Sequence, residues 1–188
     1  MQTLPSDAAS ADLSAATTFS QPVSPPSERT TFAIFVDNEP GVLHRVVGLF
    51  AARGYNIESL TVAETDRGSH TSRITIVTSG TRAVLDQIHA QLSKMISARE
   101  VQDVSRDPLG IQRELAVVKV RCSGADRNEA YRVCEIFRAK VIDTTSDGFV
   151  FEITGAPCKI DTFVDLMRPL GLTEQSRTGV LSISRSGG

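Results

Sequence analysis

The sequence predicts an α+β protein made of two consecutive β-α-β-β-α-β units. From residue 31 onward, short strand-like runs alternate with two amphipathic helical patterns. Turn-forming residues interrupt the chain at positions 107–110, and the same order of elements then repeats. We therefore expect each unit to pack two helices on one face of a four-stranded antiparallel sheet, which is the ferredoxin-like arrangement.

The first unit is predicted to span residues 30–106, with strands at residues 31–36, 56–64, 71–78 and 98–105. Its first helix is predicted at residues 41–53 and ends at Gly54, with an apolar face of Leu43, Val46, Val47 and Phe50. The second helix follows Gly80 and is expected to bury Leu85, Ile88, Leu92 and Met95. One sheet face and one edge strand stay uncovered, so we expect pairing with another subunit.

The second unit is predicted to span residues 113–188, after a linker at residues 107–112. Strands are predicted at residues 114–120, 141–145, 149–154 and 180–184. One helix starts near residue 126 and another starts at Pro157, a favoured first helical position.

Residues 1–29 carry no apolar periodicity and are rich in Ala, Ser, Thr and Pro, so we predict a disordered extension. The extension has neither the basic start and apolar centre of a signal peptide nor the arginine content of a transit peptide. No apolar run in the chain reaches the roughly 20 residues of a membrane-spanning helix. The three cysteines form no C-x-x-C pair, and a reducing cytoplasm is the expected location.

Charge and motif content exclude several classes of function. The net charge is −2, and the first 29 residues hold three of the 22 acidic and one of the 20 basic residues. The remainder is therefore balanced, which gives no reason to expect nucleic-acid binding. The sequence shows no paired-carboxylate site, phosphate-binding loop or dinucleotide motif, so we predict neither a catalytic nor a metal site.

The turn at residues 37–43, between the first strand and the first helix, is the main candidate site. A helix N-terminus carries unpaired backbone N–H groups and a partial positive charge, which suit a carboxylate. Because Gly41 has no side chain, a ligand can reach the N–H groups of Gly41, Val42 and Leu43. Asn38 adds an amide that can accept from an ammonium or donate to a carboxylate. The stretch holds no Lys or Arg, which favours a zwitterion over a phosphorylated ligand.

The same turn also suits a purely structural role, with Asn38 capping the helix and Pro40-Gly41 forming a turn. Asn56 and Ile57 lie at the head of the next strand. They either adjoin the same pocket or belong beside the pocket of a dimer mate.

Two stretches resemble the ACT domain of the small, regulatory subunit of acetohydroxyacid synthase, also called acetolactate synthase. The pattern N-x-x-G-V-L at residues 38–43 is common to many ACT domains, whereas RGYNIESLTVA at residues 53–63 is far more specific to this subunit. The resemblance continues through residues 72–76, 113–115, 135–138, 142–143, 177–180 and 184–185. It covers the chain from about residue 31 to the C-terminus.

This resemblance implies a non-catalytic subunit that activates a catalytic large subunit and confers feedback inhibition by valine or another branched-chain amino acid. It implies a homodimer through the ACT domains, with the amino acid at their interface. One chain would supply Asn38, Gly41, Val42 and Leu43, the other would supply Asn56 and Ile57, and Thr61 and Ala63 would line or support the region. Thiamine diphosphate, Mg²⁺ and FAD would belong to the catalytic partner, with no cofactor in this chain.

Two other classes of function make different predictions. An amino-acid sensor that regulates transcription needs a helix-turn-helix and a basic surface, and neither is evident. A small enzyme needs a cluster of titratable residues, which the sequence lacks. His44 either edges the candidate pocket or faces solvent, and we expect solvent; only Cys158 is a plausible reactive thiol. Solvated faces or local ion pairs are expected for Arg73, Arg113, Arg138, Arg177 and Arg185; Arg138, which matches the resemblance, either holds the second unit or contacts the catalytic subunit.

Overall fold

The computed structural model describes residues 27–66, 68, 70–108 and 110–184. These residues form two βαββαβ units, each with helices packed on one face of an antiparallel sheet, which confirms the predicted fold class. Most of the predicted extension lies outside the described residues. Its last two residues, Glu28 and Arg29, begin the first strand, where they pair with Gly80 and Ser79.

The elements of the first unit are β1 (Glu28–Asp37), α1 (Val42–Arg53), β2 (Ser59–Asp66), β3 (Thr71–Gly80), α2 (Arg82–Leu92) and β4 (Ala98–Asp103). A 3₁₀ turn (Val104–Arg106) leads to the second unit. Its elements are β5 (Ile111–Arg121), α3 (Gly124–Phe137), β6 (Lys140–Thr145), β7 (Gly148–Gly155), α4 (Pro157–Met167), β8 (Leu172–Arg177) and the short β9 (Leu181–Ile183).

The first sheet has the strand order β2-β3-β1-β4, so β2 and β4 are its edges. Alternate residues of the central strands, such as Phe32 and Ile34 on β1 and Ile74 on β3, point into one core with α1 and α2. Burying each large apolar side chain contributes about 1.5–3 kcal/mol. This core fixes the register of β1, and therefore the place where the chain turns into α1.

The predicted apolar face of α1 is displaced by one residue. Val42, Val46 and Phe50 are buried, Val47 is half-buried, and Leu43 is 38% exposed. The helix begins only at Val42, so the i, i+4, i+8 series from Val42 faces the sheet. Leu43 lies about 100° around the helix axis from Val42 and faces outward.

The second sheet has the order β6-β7-β5-β8, and β9 pairs with the first residues of β5. The predicted strand at residues 180–184 is present as β9, but the prediction that it closes this sheet is wrong, because β8 does so. β8 was missed since five of its six residues are exposed and give no apolar alternation. β5 begins at Ile111, inside the predicted linker.

The second unit covers part of the sheet face that the helices of the first unit leave open. On that face Ala33, Thr75 and Val77 are buried. The segment before β9 contacts β2: the hydroxyl of Ser59 accepts from the Val180 N–H (3.2 Å), and Thr61 donates to the Val180 carbonyl (3.3 Å). Part of the sheet face that we expected to pair with another subunit is therefore covered by the second unit of the same chain.

Candidate functional site

The turn between β1 and α1 is open to solvent at Gly41. Gly41 has φ +83°, and a Cβ atom placed there would meet nothing within 4 Å. Helix α1 has no side-chain cap, so the alternative role of Asn38 as its cap is wrong. The Asn38 backbone N–H instead donates to the His70 carbonyl (2.7 Å), which fixes the turn against the β2–β3 connection.

Some backbone N–H groups at the start of α1 are hydrogen-bonded and others are not. The Val42 N–H donates to the Glu39 carbonyl (3.2 Å), and the Val42 side chain is buried in the core. Within the described part of the chain, the N–H groups of Gly41 and Leu43 have no hydrogen-bond partner. Two unpaired donors at an exposed helix N-terminus form an arrangement that accepts a carboxylate.

A cavity of about 470 Å³ adjoins the turn and involves residues that the sequence analysis missed. Its lining comprises Asp37, Glu39, Arg45, Leu49, Met95, Ile96 and Ser97. Glu39 pairs with Arg45 (3.2 Å) and Asp37 pairs with Arg99 (2.6 Å). Acidic oxygens and apolar side chains therefore line a cavity that includes Asp37 and Glu39 of the turn and Arg45 and Leu49 of α1. The fully exposed Ile96 carries no sequence signal, because only the fold brings it next to Leu49.

Within one chain, the structure does not bring Asn56 and Ile57 to this turn. Thr78 donates to the Asn56 carbonyl (2.6 Å), and in the β1–β3 register Thr78 pairs with Thr30. Asp37, which precedes the turn, lies seven residues further along β1. At the rise of a strand this is a separation of about 23 Å. The two halves of the predicted site thus lie at opposite ends of one sheet.

Thr61 and Ala63 lie on β2, away from the turn. Thr61 bonds to Val180, and Ala63 pairs with Arg73 on β3. Both residues line a second cavity, between the first sheet and β9, and none of the described residues of that lining belongs to the β1–α1 turn.

Comparisons with known proteins cover both units. The family described as AHAS small subunit-like ACT domain matches residues 32–100, and the family described as small subunit of acetolactate synthase matches residues 113–186. A probable acetolactate synthase small subunit from Archaeoglobus fulgidus is 42% identical over 155 residues, which cover 82% of this chain and 96% of the relative. The acetolactate synthase isozyme 3 small subunit of Escherichia coli K12 is 40% identical over 158 residues, covering 84% and 96%.

The chain belongs to the family of acetolactate synthase small subunits. The crystal structure of the small subunit from Thermotoga maritima superposes with a TM-score of 0.74 at 34% identity, covering 86% of this chain and 99% of that chain. This small subunit therefore carries an ACT domain as its first unit, and its family places it in branched-chain amino acid biosynthesis.

The histidine and cysteine side chains of the small subunit differ in their exposure to solvent. His44 is exposed, as predicted. Burial raises the pKa of the Cys122 and Cys134 thiols, whereas Cys158 is exposed at the second residue of α4. In the described ranges, no group of three or more His, Cys, Asp or Glu side chains is placed to hold a metal ion. No described helix is both long and apolar enough to cross a membrane.

The arginines for which we predicted solvated faces or local ion pairs have different surroundings in the structure. Arg177 forms a local ion pair with Glu114, as predicted, at 2.7 Å. Arg138 is exposed and ends α3 in a left-handed conformation. Arg185 lies outside the described residues. For Arg73 the prediction is wrong: this side chain is half-buried, and its Nε and Nη2 atoms are buried without a hydrogen-bond partner.

Proposed function

We propose that this small subunit binds valine, or another branched-chain amino acid, at the β1–α1 turn of a dimer of ACT domains. In this proposal the subunit activates a catalytic large subunit in the cytoplasm, and bound valine reduces that activity. The catalytic subunit would hold thiamine diphosphate, Mg²⁺ and FAD. The observation that carries the proposal is the pair of unpaired N–H groups of Gly41 and Leu43 on an open helix start.

The neighbouring cavity supports a small zwitterion as the ligand. An α-carboxylate suits the helix N-terminus, and an α-ammonium suits an acidic oxygen or the Asn38 amide oxygen. Leu49, Met95 and Ile96 provide an apolar surface for a branched side chain. A phosphorylated ligand fits less well, because two carboxylates, Asp37 and Glu39, line the same cavity with one arginine, Arg45.

The edge strand β2 supports a site shared by two chains. β2 pairs only with β3 among the described strands, so its outer edge is free to add a strand. Two copies that pair along this edge about a two-fold axis perpendicular to the strands would place their β2 strands antiparallel, so the start of one β2 meets the end of the other. The end of β2 is next to His70, whose backbone carbonyl accepts a hydrogen bond from the Asn38 N–H. Asn56 and Ile57 of one protomer would then lie near the turn of its partner.

Feedback inhibition needs valine to have different affinities for two states of the complex. A ligand that contacts two protomers favours the arrangement in which both contacts are made. If that arrangement is the less active state of the holoenzyme, bound valine reduces activity without touching a catalytic group.

The experiment that tests this function is titration calorimetry of valine, leucine and isoleucine against the purified chain. It is combined with co-purification of a thiamine-dependent catalytic chain. We expect valine to bind, and to lower the rate of the reconstituted holoenzyme below that measured with the ligand-free small subunit. If none of the three amino acids gives binding heat, the proposed sensor role is wrong.

The dimer is tested with Val62→Lys on β2, where the native side chain is 47% exposed. A lysine on an edge strand opposes strand addition. We expect the dissociation constant of the dimer to rise at least tenfold in analytical ultracentrifugation, and valine affinity to fall with it. Leu166→Lys on α4 is the matched control, because Leu166 is 44% exposed in the second unit. A Val62→Lys variant that dimerises like the control argues against pairing through β2.

The transcription-regulator alternative finds no support in the described helices. All four pack on their own sheets as parts of the two units. None of the described residues is left over to form a helix-turn-helix.

A further inference from the structure

Arg73 is a half-buried cation without a counter-charge in the described structure. It lies on β3 between Phe35 of β1 and Ala63 of β2, on the sheet face opposite the helices. Its guanidinium carbon is 5.1 Å from the centre of the Phe35 ring. The Nε and Nη2 atoms are buried without an acceptor, and burial lowers the pKa of this guanidinium. Removing a charge from water without a hydrogen-bonded partner is costly, so the position calls for an acceptor.

A second unpartnered group lies in the same place. Ser182 on β9 is 8% exposed, and its hydroxyl has no hydrogen-bond partner. Ser182 and Arg73 line one cavity of about 570 Å³ between the first sheet and the second unit. Buried polar groups are rarely left unpaired in proteins. Two such groups facing one cavity indicate a ligand that forms hydrogen bonds with both.

The rest of the lining defines the chemistry of that ligand. Arg113 adds a second positive charge, and Val62, Leu181 and Ile183 form apolar walls. Thr61 and Thr65 already donate their hydroxyl protons to backbone carbonyls. Among the described residues that line the cavity there is no Asp or Glu. An ammonium group would therefore find two arginines and no carboxylate.

We propose that this cavity binds a small anion with a short apolar body and no ammonium group, held by Arg73 and Ser182. A carboxylate and a phosphate share this chemistry, since both accept paired N–H donors from a guanidinium. The cavity is formed by one chain and is separate from the β1–α1 turn, so the proposal does not rest on the valine site. Because both units line the cavity, a bound anion would also tie the second unit to the ACT domain.

The test uses the full chain at fixed ionic strength, with 3-methylbutanoate, valine and inorganic phosphate as probes. 3-Methylbutanoate has the carbon skeleton of valine without the ammonium group. We expect 3-methylbutanoate to bind in titration calorimetry and to raise the unfolding temperature. Arg73→Met should weaken that binding at least 100-fold while leaving valine affinity unchanged. If phosphate binds instead and loses its affinity in Arg73→Met, the anion site is upheld with phosphate as its ligand.

Two further variants exclude a merely structural effect. Arg82→Met removes a similar charge from the exposed surface of α2, where Arg82 pairs with Glu28 (3.4 Å), and should leave anion binding unchanged. Ser182→Ala keeps Arg73 and should weaken binding about tenfold, which is the effect expected for one lost hydrogen bond. Arg73→Met without ligand should be at least as heat-stable as the native chain, because methionine needs no acceptor.

Two results would overturn the proposal. One is that neither 3-methylbutanoate nor phosphate binds the native chain. The other is that Arg73→Met and Ser182→Ala both bind the anion as the native chain does. Valine binding is measured in the same samples, so a failure of this site is distinguishable from a failure of the proposed valine site.

Discussion

Replacing Arg177 with leucine is expected to lower the free energy of unfolding by about 3–5 kcal/mol. Arg177 forms two hydrogen bonds with the Glu114 carboxylate, at 3.0 and 2.7 Å. It also bonds to Asp161 at 2.6 Å. Burial works against the charged form of Arg177, but the bonds to Glu114 and Asp161 outweigh it and raise its pKa.

The size of the effect comes from the carboxylate that is left behind. The Glu114 side chain is only 6% exposed, so without Arg177 a charge would remain buried and unpaired. The lost stability mainly affects β8, because this strand is almost entirely exposed and is stabilised little by apolar burial. Arg177 joins β8 to β5 through Glu114 and to α4 through Asp161, so its loss should release the closing strand of the second sheet.

Urea unfolding of four chains measures the effect: native, Arg177→Leu, Glu114→Leu and the double variant. The double variant should recover most of the lost stability, because a buried pair replaced by apolar residues is close to neutral. Arg168→Leu is the matched control. Arg168 pairs with Asp165 at 3.2 Å on the exposed side of α4, and its loss should cost less than about 1 kcal/mol. Equal costs for Arg177→Leu and Arg168→Leu would contradict this account.

Strands at the centre of a sheet could be predicted from the sequence. Strands stabilised by residues far away in the chain could not. The apolar runs of β1, β5 and β7 and the apolar alternation of β3 predicted them, because these strands face a core. β8 carries polar residues and is fixed by a partner 63 positions earlier in the chain, a distance that local periodicity cannot register. The same limit explains why residues 180–184, which are more apolar, were assigned as the closing strand.

The candidate sites divide in a similar way. Gly41 after a strand and before a helical pattern was enough to predict an open helix start. The separation of Asn56 from Asn38 depends on the register of β1 against β3, which only the fold supplies. The burial of Arg73 depends on which segment of the second unit covers the first sheet. Its local sequence, with arginine alternating with isoleucine, is typical of a solvated strand face and therefore suggested the opposite.

Replacing Gly41 with aspartate is expected to weaken valine binding at least 100-fold while the chain stays folded. The new side chain would project into open space, since no atom lies within 4 Å of a Cβ there. It would place a carboxylate where the ligand carboxylate approaches the free N–H groups. Two negative charges 4 Å apart near a protein surface repel by about 4 kcal/mol, which exceeds the roughly 2.7 kcal/mol of a 100-fold change.

Gly41→Asn separates the effect of charge from the effect of backbone strain. Gly41 has φ +83°, and both Asp and Asn are among the residues that tolerate the left-handed region best, so their costs in stability should match. Equal unfolding temperatures for the two variants, with valine binding lost mainly in Gly41→Asp, would assign the ligand carboxylate to this helix start. Gly41→Asp should keep its affinity for 3-methylbutanoate in the Arg73 cavity. Unchanged valine affinity in Gly41→Asp would mean that the ligand carboxylate binds elsewhere.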